Sequence, residues 1–141
     1  MYLFRVVVKP SSIEGKGVFA DEDIQQGVVV WRFDQQHDKQ ISVETYQALS
    51  EEEKFDIRKV GYISPTSGDW IFPPANDPAR YTNHSSNANN LSAIFDSDSS
   101  PEPFFVARYN IRKGDELIVN YSEFDASIKT DKPEWMKSIE S

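Results

Sequence analysis

The chain contains no cysteine among its 141 residues. Disulfide bonds, thiolate zinc sites and cysteine nucleophiles are therefore excluded, while the redox compartment stays undetermined. Histidine is almost as scarce, since His37 and His84 are the only two. A metal site would have to be built from carboxylates, and no suitable cluster stands out, so we expect no metal. We expect His37, alone in a polar stretch, to be solvated.

Long apolar runs are missing as well. The amino-terminal stretch MYLFRVVVK is interrupted by Arg5 and has no small-residue cleavage pattern. It therefore resembles neither a signal peptide nor a membrane span. From this we expect an intracellular protein, cytoplasmic or nuclear, that has no membrane partner.

Basic residues are fewer than acidic ones, with 15 against 23 and a net charge of -8. This balance disfavours direct binding to nucleic acid and suits a cationic partner such as a lysine-rich peptide. Solubility alone would also explain the acidity. The sequence leaves the oligomeric state open, a homodimer included.

Large apolar side chains are present in sufficient number for a folded core. Apolar residues make up 38% of the chain, which has three tryptophans and nine phenylalanines. A chain of this length accommodates one compact domain and little else. We therefore predict a single domain over residues 1–141.

Short β patterns separated by turn residues dominate the chain. Two helices are predicted in the middle, one capped by Ser42 and one opened by the capping-box pair Ser50 and Glu53. A short tail helix is predicted after Pro133. The predicted strands cover residues 4–8, 28–33, 60–63, 70–72, 91–95, 103–108 and 116–120. This pattern indicates a mainly β fold with a few short helices.

The run from Arg80 to Asn90 is the most polar part of the chain. Most of its side chains donate or accept hydrogen bonds without carrying a full charge. We predict an ordered loop rather than a helix or a strand, because buried polar groups of this kind need partners in the fold or on a ligand. An asparagine-rich surface turn is the alternative.

Three stretches occur in a fixed order: residues 14–20 (EGKGVFA), residues 80–85 (RYTNHS) followed by Asn89, and residues 114–121 (GDELIVNY). Together they resemble the SET-domain methyltransferases, and the likeness extends over nearly all of residues 3–124. It implies a β-clip fold of several small sheets, in which the last segment threads under a preceding loop as a C-terminal pseudoknot. Residues 3–124 would form the core and residues 125–141 a flanking segment.

The resemblance implies transfer of a methyl group from S-adenosylmethionine to the ε-amine of a lysine in a protein substrate, with S-adenosylhomocysteine as the product. It places the backbone around Lys16 and Gly17 at the methionine end of this cofactor. Asn83 and His84 would hold it largely through main-chain groups. The remaining residues implied at the cofactor are Arg80, Tyr81 and Tyr121. Trp135 in the tail is a further candidate, because its ring could cover the adenine by stacking.

Two tyrosines are the candidate catalytic residues. The resemblance puts Tyr121 where the methyl donor meets the lysine, and Tyr62 is a looser match to a second tyrosine of the lysine channel. Phe124 and the tail helix are candidates to close that channel, because the cysteine-rich zinc segment of many histone methyltransferases is absent. Trp135 could instead simply pin the tail to the core.

The lysine must lose a proton before it can attack. At a pKa of about 10.4, neutralising it at pH 7 costs about 4 to 5 kcal/mol. No residue is recognisable in the sequence as a strong base, so our hypothesis is that the proton is lost to water.

The chain departs from the family pattern at several positions. Ser86 and Ala88 replace a common cysteine and proline, and Asn120 stands where aspartate commonly precedes the tyrosine. The small Val119 leaves the number of methyl groups added open.

A non-catalytic SET-like module that binds a basic peptide is the alternative function, and a methyltransferase with a target other than histones is a third.

Overall fold

Short strands form four small sheets in the computed structural model, which describes residues 1–126. Three of the sheets are antiparallel and one is a parallel pair. The strands are β1 (Val6–Pro10), β2 (Lys16–Ala20), β3 (Val29–Trp31), β4 (Lys39–Ile41), β5 (Tyr62–Ile63), β6 (Trp70–Phe72), β7 (Asn83–His84), β8 (Leu91–Ile94), β9 (Phe104–Ala107) and β10 (Ile118–Val119). The predicted mainly β architecture is confirmed.

The two central helices begin where their caps predict. Helix α1 (Val43–Gln47) follows Ser42, whose side chain accepts a hydrogen bond from the Thr45 amide. Helix α2 (Glu51–Val60) follows a complete capping box between Ser50 and Glu53. Such caps satisfy amides that have no partner within the helix, which fixes where each helix starts. Two 3₁₀ turns, Pro78–Tyr81 and Tyr121–Glu123, complete the helical structure of the described residues.

The sheets are assembled from distant parts of the chain. β1 pairs with β2 as a hairpin, whereas β9 lies between β3 and β8. β6 lies between β4 and β5, and β5 with β6 forms a second hairpin. The parallel pair joins β10 to β7, so that Ile118 lies opposite Asn83 and Val119 opposite His84. The end of the described chain is thereby held against the polar run.

A single aromatic and aliphatic core lies among these sheets. Its members are fully or almost fully buried, and they come from β2, β3, β5, β6, β8, β9 and β10 as well as from the loops and the last 3₁₀ turn. Leu117 and Val119 are buried, while Ile118 is only partly covered, as the alternation of the last strand predicts. Within residues 1–126, no helix has both the length and the apolar character needed to cross a bilayer.

Two predictions need correction. The polar run is not entirely loop, because it starts in a 3₁₀ turn and Asn83–His84 form a buried strand. A strand of two residues is too short to show the alternation of apolar and polar side chains by which strands are predicted. Its pairing partner, β10, also lies more than thirty residues later in the chain. The first strand also runs two residues later than expected and ends on Pro10, which is tolerated at the end of an edge strand.

Other expectations are not tested. The tail helix after Pro133 lies outside the described residues. The β7–β10 pairing places the last segment beside the polar run, as the pseudoknot requires. Passage of the chain beneath the loop stays a prediction.

Candidate active site

The three sequence stretches meet around the side chain of Asn83. Its amide nitrogen donates to the carbonyl oxygens of Glu14 (3.2 Å) and Lys16 (3.1 Å) and to a carboxylate oxygen of Glu116 (2.8 Å). The Ser11 hydroxyl donates to the same carboxylate at 2.7 Å. Because one amide and one carboxylate connect all three stretches, they fix the glycine turn relative to the polar run and the last strand.

Gly17 lies directly against this junction. A β-carbon built on Gly17 would lie 2.2 Å from Oε2 of Glu116 and 3.1 Å from Nδ2 of Asn83. No side chain fits in that space. The resemblance predicted close backbone approach here, and in this structure the approach is to the Glu116 carboxylate.

The His84 side chain holds the backbone of Tyr121. The Tyr121 amide donates to Nδ1 of His84 at 2.9 Å, and the ring centroids are 5.3 Å apart. His84 is 0% exposed. Its imidazole therefore positions the tyrosine, and the main-chain contact to a cofactor that the resemblance implied stays a prediction.

A polar pocket opens next to the glycine turn. Its walls carry the cationic side chains of Lys16, Lys59 and Arg80. One terminal nitrogen of Arg80, Nη2, donates to both carboxylate oxygens of Asp56, at 2.8 and 3.0 Å, which holds the guanidinium. The pocket is lined by Glu14, Gly15, Lys16, Lys59, Arg80, Tyr81, Thr82, Asn83 and Tyr121. Cations and an aromatic face suit a ligand that has both a carboxylate and a flat heterocycle.

A second pocket is almost entirely apolar. Phe124 packs between two tyrosines, with its ring centroid 5.2 Å from that of Tyr62 and 5.4 Å from that of Tyr121. The lining residues are Tyr2, Trp31, Val60, Tyr62, Ile71, Phe72, Pro73, Ala79, Thr82, Phe105, Val119, Tyr121 and Phe124. Its cavity volume of about 50 Å³, against about 190 Å³ for the polar pocket, suits a single extended side chain.

The two pockets share Thr82 and Tyr121. The Thr82 hydroxyl is held by that of Tyr2 at 2.7 Å, and the Tyr121 backbone is held by His84. A ligand in one pocket would therefore meet a ligand in the other at the tyrosine. This arrangement allows two reactants in neighbouring pockets to meet.

The tyrosines of the aromatic pocket stay neutral. Burial raises the pKa of Tyr121, and the nearby Asp125 charge raises it further. Burial also raises the pKa of Tyr62 well above its ordinary value, with Glu102 adding to the effect. Both groups are therefore phenols that accept and donate hydrogen bonds rather than phenolate bases.

A sequence comparison decides the family. The profile of the SET domain matches residues 15–122, which is most of the chain.

The chain belongs to the SET-domain family.

Solved SET-domain structures share the fold. A chain of the Chaetomium thermophilum Polycomb Repressive Complex 2, bound to GSK126, is 26% identical with a TM-score of 0.63 over 89% of this chain. CpSET8 from Cryptosporidium is 21% identical with a TM-score of 0.58, covering 85% of this chain and 58% of its own. This chain corresponds to only 17% of the Polycomb chain. None of the curated protein sequences matches.

The SET domain places most of the predicted site residues together. Lys16, Arg80, Tyr81, Asn83 and Tyr121 line the polar pocket, Gly17 adjoins it, and Tyr62 lies in the aromatic pocket with Phe124. Trp135 lies outside the described residues. The roles of all these residues toward a ligand stay predictions.

Sequence reasoning missed four residues of this SET domain. Glu116 stands within the last motif, yet its contact with Asn83 depends on the fold. Thr82 lies between the two pockets and carries no sequence signal beyond its place in the polar run. Lys59 and Glu102 lie outside the motifs. No local pattern distinguishes them from surface charges.

The expectation that His37 is solvated holds only in part, since its side chain is 35% exposed. Its ring hydrogen-bonds to the buried carboxylate of Asp77, forty residues away. Asp38 lies close enough to complete a group of three metal-ligand atoms within 4.8 Å of one another. However, one oxygen of the Asp38 carboxylate already accepts a hydrogen bond from the Met1 amino group at 3.1 Å. We assign this group to anchoring the amino-terminal segment.

Replacement of His84 by leucine should destabilise the SET domain and displace Tyr121. The buried Tyr121 amide would lose its acceptor, at a cost of about 1 to 3 kcal/mol. In His84→Asn, a side-chain oxygen can occupy the place of Nδ1, so we expect a smaller loss. Urea unfolding of both variants measures the difference. Equal stability of wild type and His84→Leu would contradict the positioning role.

Proposed function

We propose that the protein is a lysine methyltransferase that uses S-adenosylmethionine. The observation that supports this most directly is the sharing of Tyr121 between a polar, cationic pocket and a narrow aromatic one. Methyl transfer needs two reactants brought together in line, and it needs no nucleophile from the protein. Two pockets that meet at one neutral tyrosine match that requirement.

The residues of the polar pocket suit the proposed cofactor. Lys16, Lys59 and Arg80 would favour its carboxylate, and the 43%-exposed ring of Tyr81 offers a face to a heterocycle or a cationic sulfur. The backbone at Gly17 forms a surface that any β-carbon would alter. When bound, S-adenosylmethionine supplies an electrophilic methyl group on a sulfonium.

The aromatic pocket suits the lysine side chain. Its apolar walls would cover the four methylene groups, and the faces of Tyr62, Tyr121 and Phe124 would attract the ammonium at about 0.5 to 2 kcal/mol each. Neutral tyrosine hydroxyls can orient the amine by hydrogen bonds. The net charge of -8 favours a basic peptide, a histone tail among them.

Two measurements test this function. Calorimetric titration with S-adenosylmethionine should show binding, and tritium-labelled cofactor should label lysine in histones or in whole-cell extract. Binding of the cofactor without transfer to any extract would favour the alternative, a SET-like module that recognises a basic peptide. Absence of binding at millimolar cofactor would overturn the proposal.

Tyr81→Ala should weaken cofactor binding. Loss of one aromatic face costs about 1 kcal/mol, or roughly fivefold in Kd. Tyr109→Ala is the matched control, because Tyr109 is similarly exposed at 53% and lines neither pocket. Titration of both variants with S-adenosylmethionine gives the comparison. Equal affinity in the two variants would remove Tyr81 from the site.

A further inference from the structure

A buried carboxylate stands directly behind Tyr62. The Tyr62 hydroxyl donates to Oε1 of Glu102 at 3.1 Å, and the Ser64 hydroxyl donates to Oε2 at 2.8 Å. Glu102 is 4% exposed and does not line the aromatic pocket. It therefore reaches that pocket only through the Tyr62 hydroxyl.

The direction of these hydrogen bonds leaves the tyrosine oxygen able to accept. A phenol has one proton and two lone pairs, and the proton of Tyr62 is directed at Glu102. Tyr62 lines the aromatic pocket, so an ammonium group that reaches its oxygen there can donate to it. The path would then run from the pocket, through one hydroxyl, to a buried carboxylate.

We propose that Glu102 accepts, through the Tyr62 hydroxyl, the proton that the substrate lysine must lose before it is methylated. The inference rests on the proposed function. One N–H bond of the ammonium breaks and its proton passes to the Tyr62 oxygen, while the tyrosine's own proton passes to Oε1 of Glu102. The lysine nitrogen keeps the electron pair and becomes the nucleophile. After the product leaves, the proton returns through Tyr62 to water in the emptied pocket.

The charges around this pair favour such a transfer. Burial raises the pKa of Glu102, and the Asp69 charge adds to the effect, while the bonds from Ser64 and Tyr62 oppose it. Asp38 and Asp125 place further negative charge near Tyr62. A carboxylate in negative surroundings is a stronger base than one in water. This would replace loss of the proton to bulk water, our hypothesis from the sequence.

The pH dependence of turnover separates the two routes. If Glu102 takes the proton, the wild-type kcat/KM should be nearly constant between pH 7 and pH 9, because the charged lysine can bind and react. In Glu102→Gln only the neutral amine can react, so kcat/KM should rise about tenfold per pH unit, as the neutral fraction does. At pH 7 this variant should be slower by roughly 10²-fold.

Further variants exclude a merely structural role. Tyr62→Phe interrupts the path and should show the same slope as Glu102→Gln, and the double variant should be no slower than either single one. Glu22→Gln is the matched surface control and should behave as the wild type. A thialysine peptide, whose amine is less basic, should recover part of the lost rate in Glu102→Gln.

The outcomes are distinguishable. A tenfold rise per pH unit in the wild type itself would mean that water takes the proton, and would overturn the relay. A uniformly slow but flat profile in Glu102→Gln would make Glu102 structural and overturn it as well. Absence of methyl transfer by the wild type at every pH would instead overturn the proposed function.

Discussion

Tyr121→Phe is expected to lower turnover by roughly 10²-fold while leaving the affinity for S-adenosylmethionine nearly unchanged. Tyr121 lines both pockets, and its ring packs in the core beside Phe124 and His84. Phenylalanine keeps the ring packing and the backbone bond to His84. Only the orientation of the reacting groups should be lost, and this affects kcat more than binding.

Single-turnover methylation and calorimetry on the same preparation provide the measurement. Tyr109→Phe is the matched control, because it removes the hydroxyl of an exposed tyrosine that lines neither pocket. A fully active Tyr121→Phe protein would remove the hydroxyl from the mechanism. Loss of cofactor binding with an unchanged kcat would make Tyr121 a binding residue only.

Gly17→Ala should weaken both the fold and the cofactor pocket. The new methyl group would lie 2.2 Å from Oε2 and 2.8 Å from Cδ of Glu116, so the carboxylate would have to move. It would then release Asn83 and Ser11, which it now holds. Overpacking of this kind costs about 1 to 3 kcal/mol of unfolding free energy. Urea denaturation and cofactor titration measure the two losses.

A double-mutant cycle identifies the cause. In Gly17→Ala with Glu116→Ala, the colliding carboxylate is gone, so the combined loss should be smaller than the sum of the single losses, with a coupling of about 1 kcal/mol or more. Gly15→Ala is the control in the same turn. It meets nothing within 4 Å and is strained only by its φ of +41°, so it should not couple to Glu116. If the losses of Gly17→Ala and Glu116→Ala simply add in the double variant, the proposed clash between the new methyl group and the Glu116 carboxylate is refuted.

The parts of the fold that were predictable are those whose signals are local. Ser42 and the pair of Ser50 with Glu53 fix the helix starts through hydrogen bonds that span three residues. The hairpin of β5 and β6 follows from a turn between two apolar runs. In each case the residues that determine the structure are close in sequence.

The family motifs identified most of the candidate site, but not its internal contacts. Asn83 and His84 were expected in a loop, because a two-residue strand has no recognisable period. Their partners are Ile118 and Val119, and no local rule specifies that pairing. Glu102 was missed for the same reason, since only the folded chain brings it to Tyr62, forty residues away.

The parallel pairing of β7 with β10 has a consequence for synthesis of the protein. On the ribosome, Gly17 and Asn83 emerge well before Glu116 and Tyr121, so neither pocket can exist until almost the whole described chain has left the exit tunnel. Until then, the amide of Asn83 and the ring of His84 remain exposed to water and to chaperones. Contacts so distant along the chain also close slowly. Premature termination before residue 116 would therefore produce a polypeptide with most of its hydrophobic residues and no cleft.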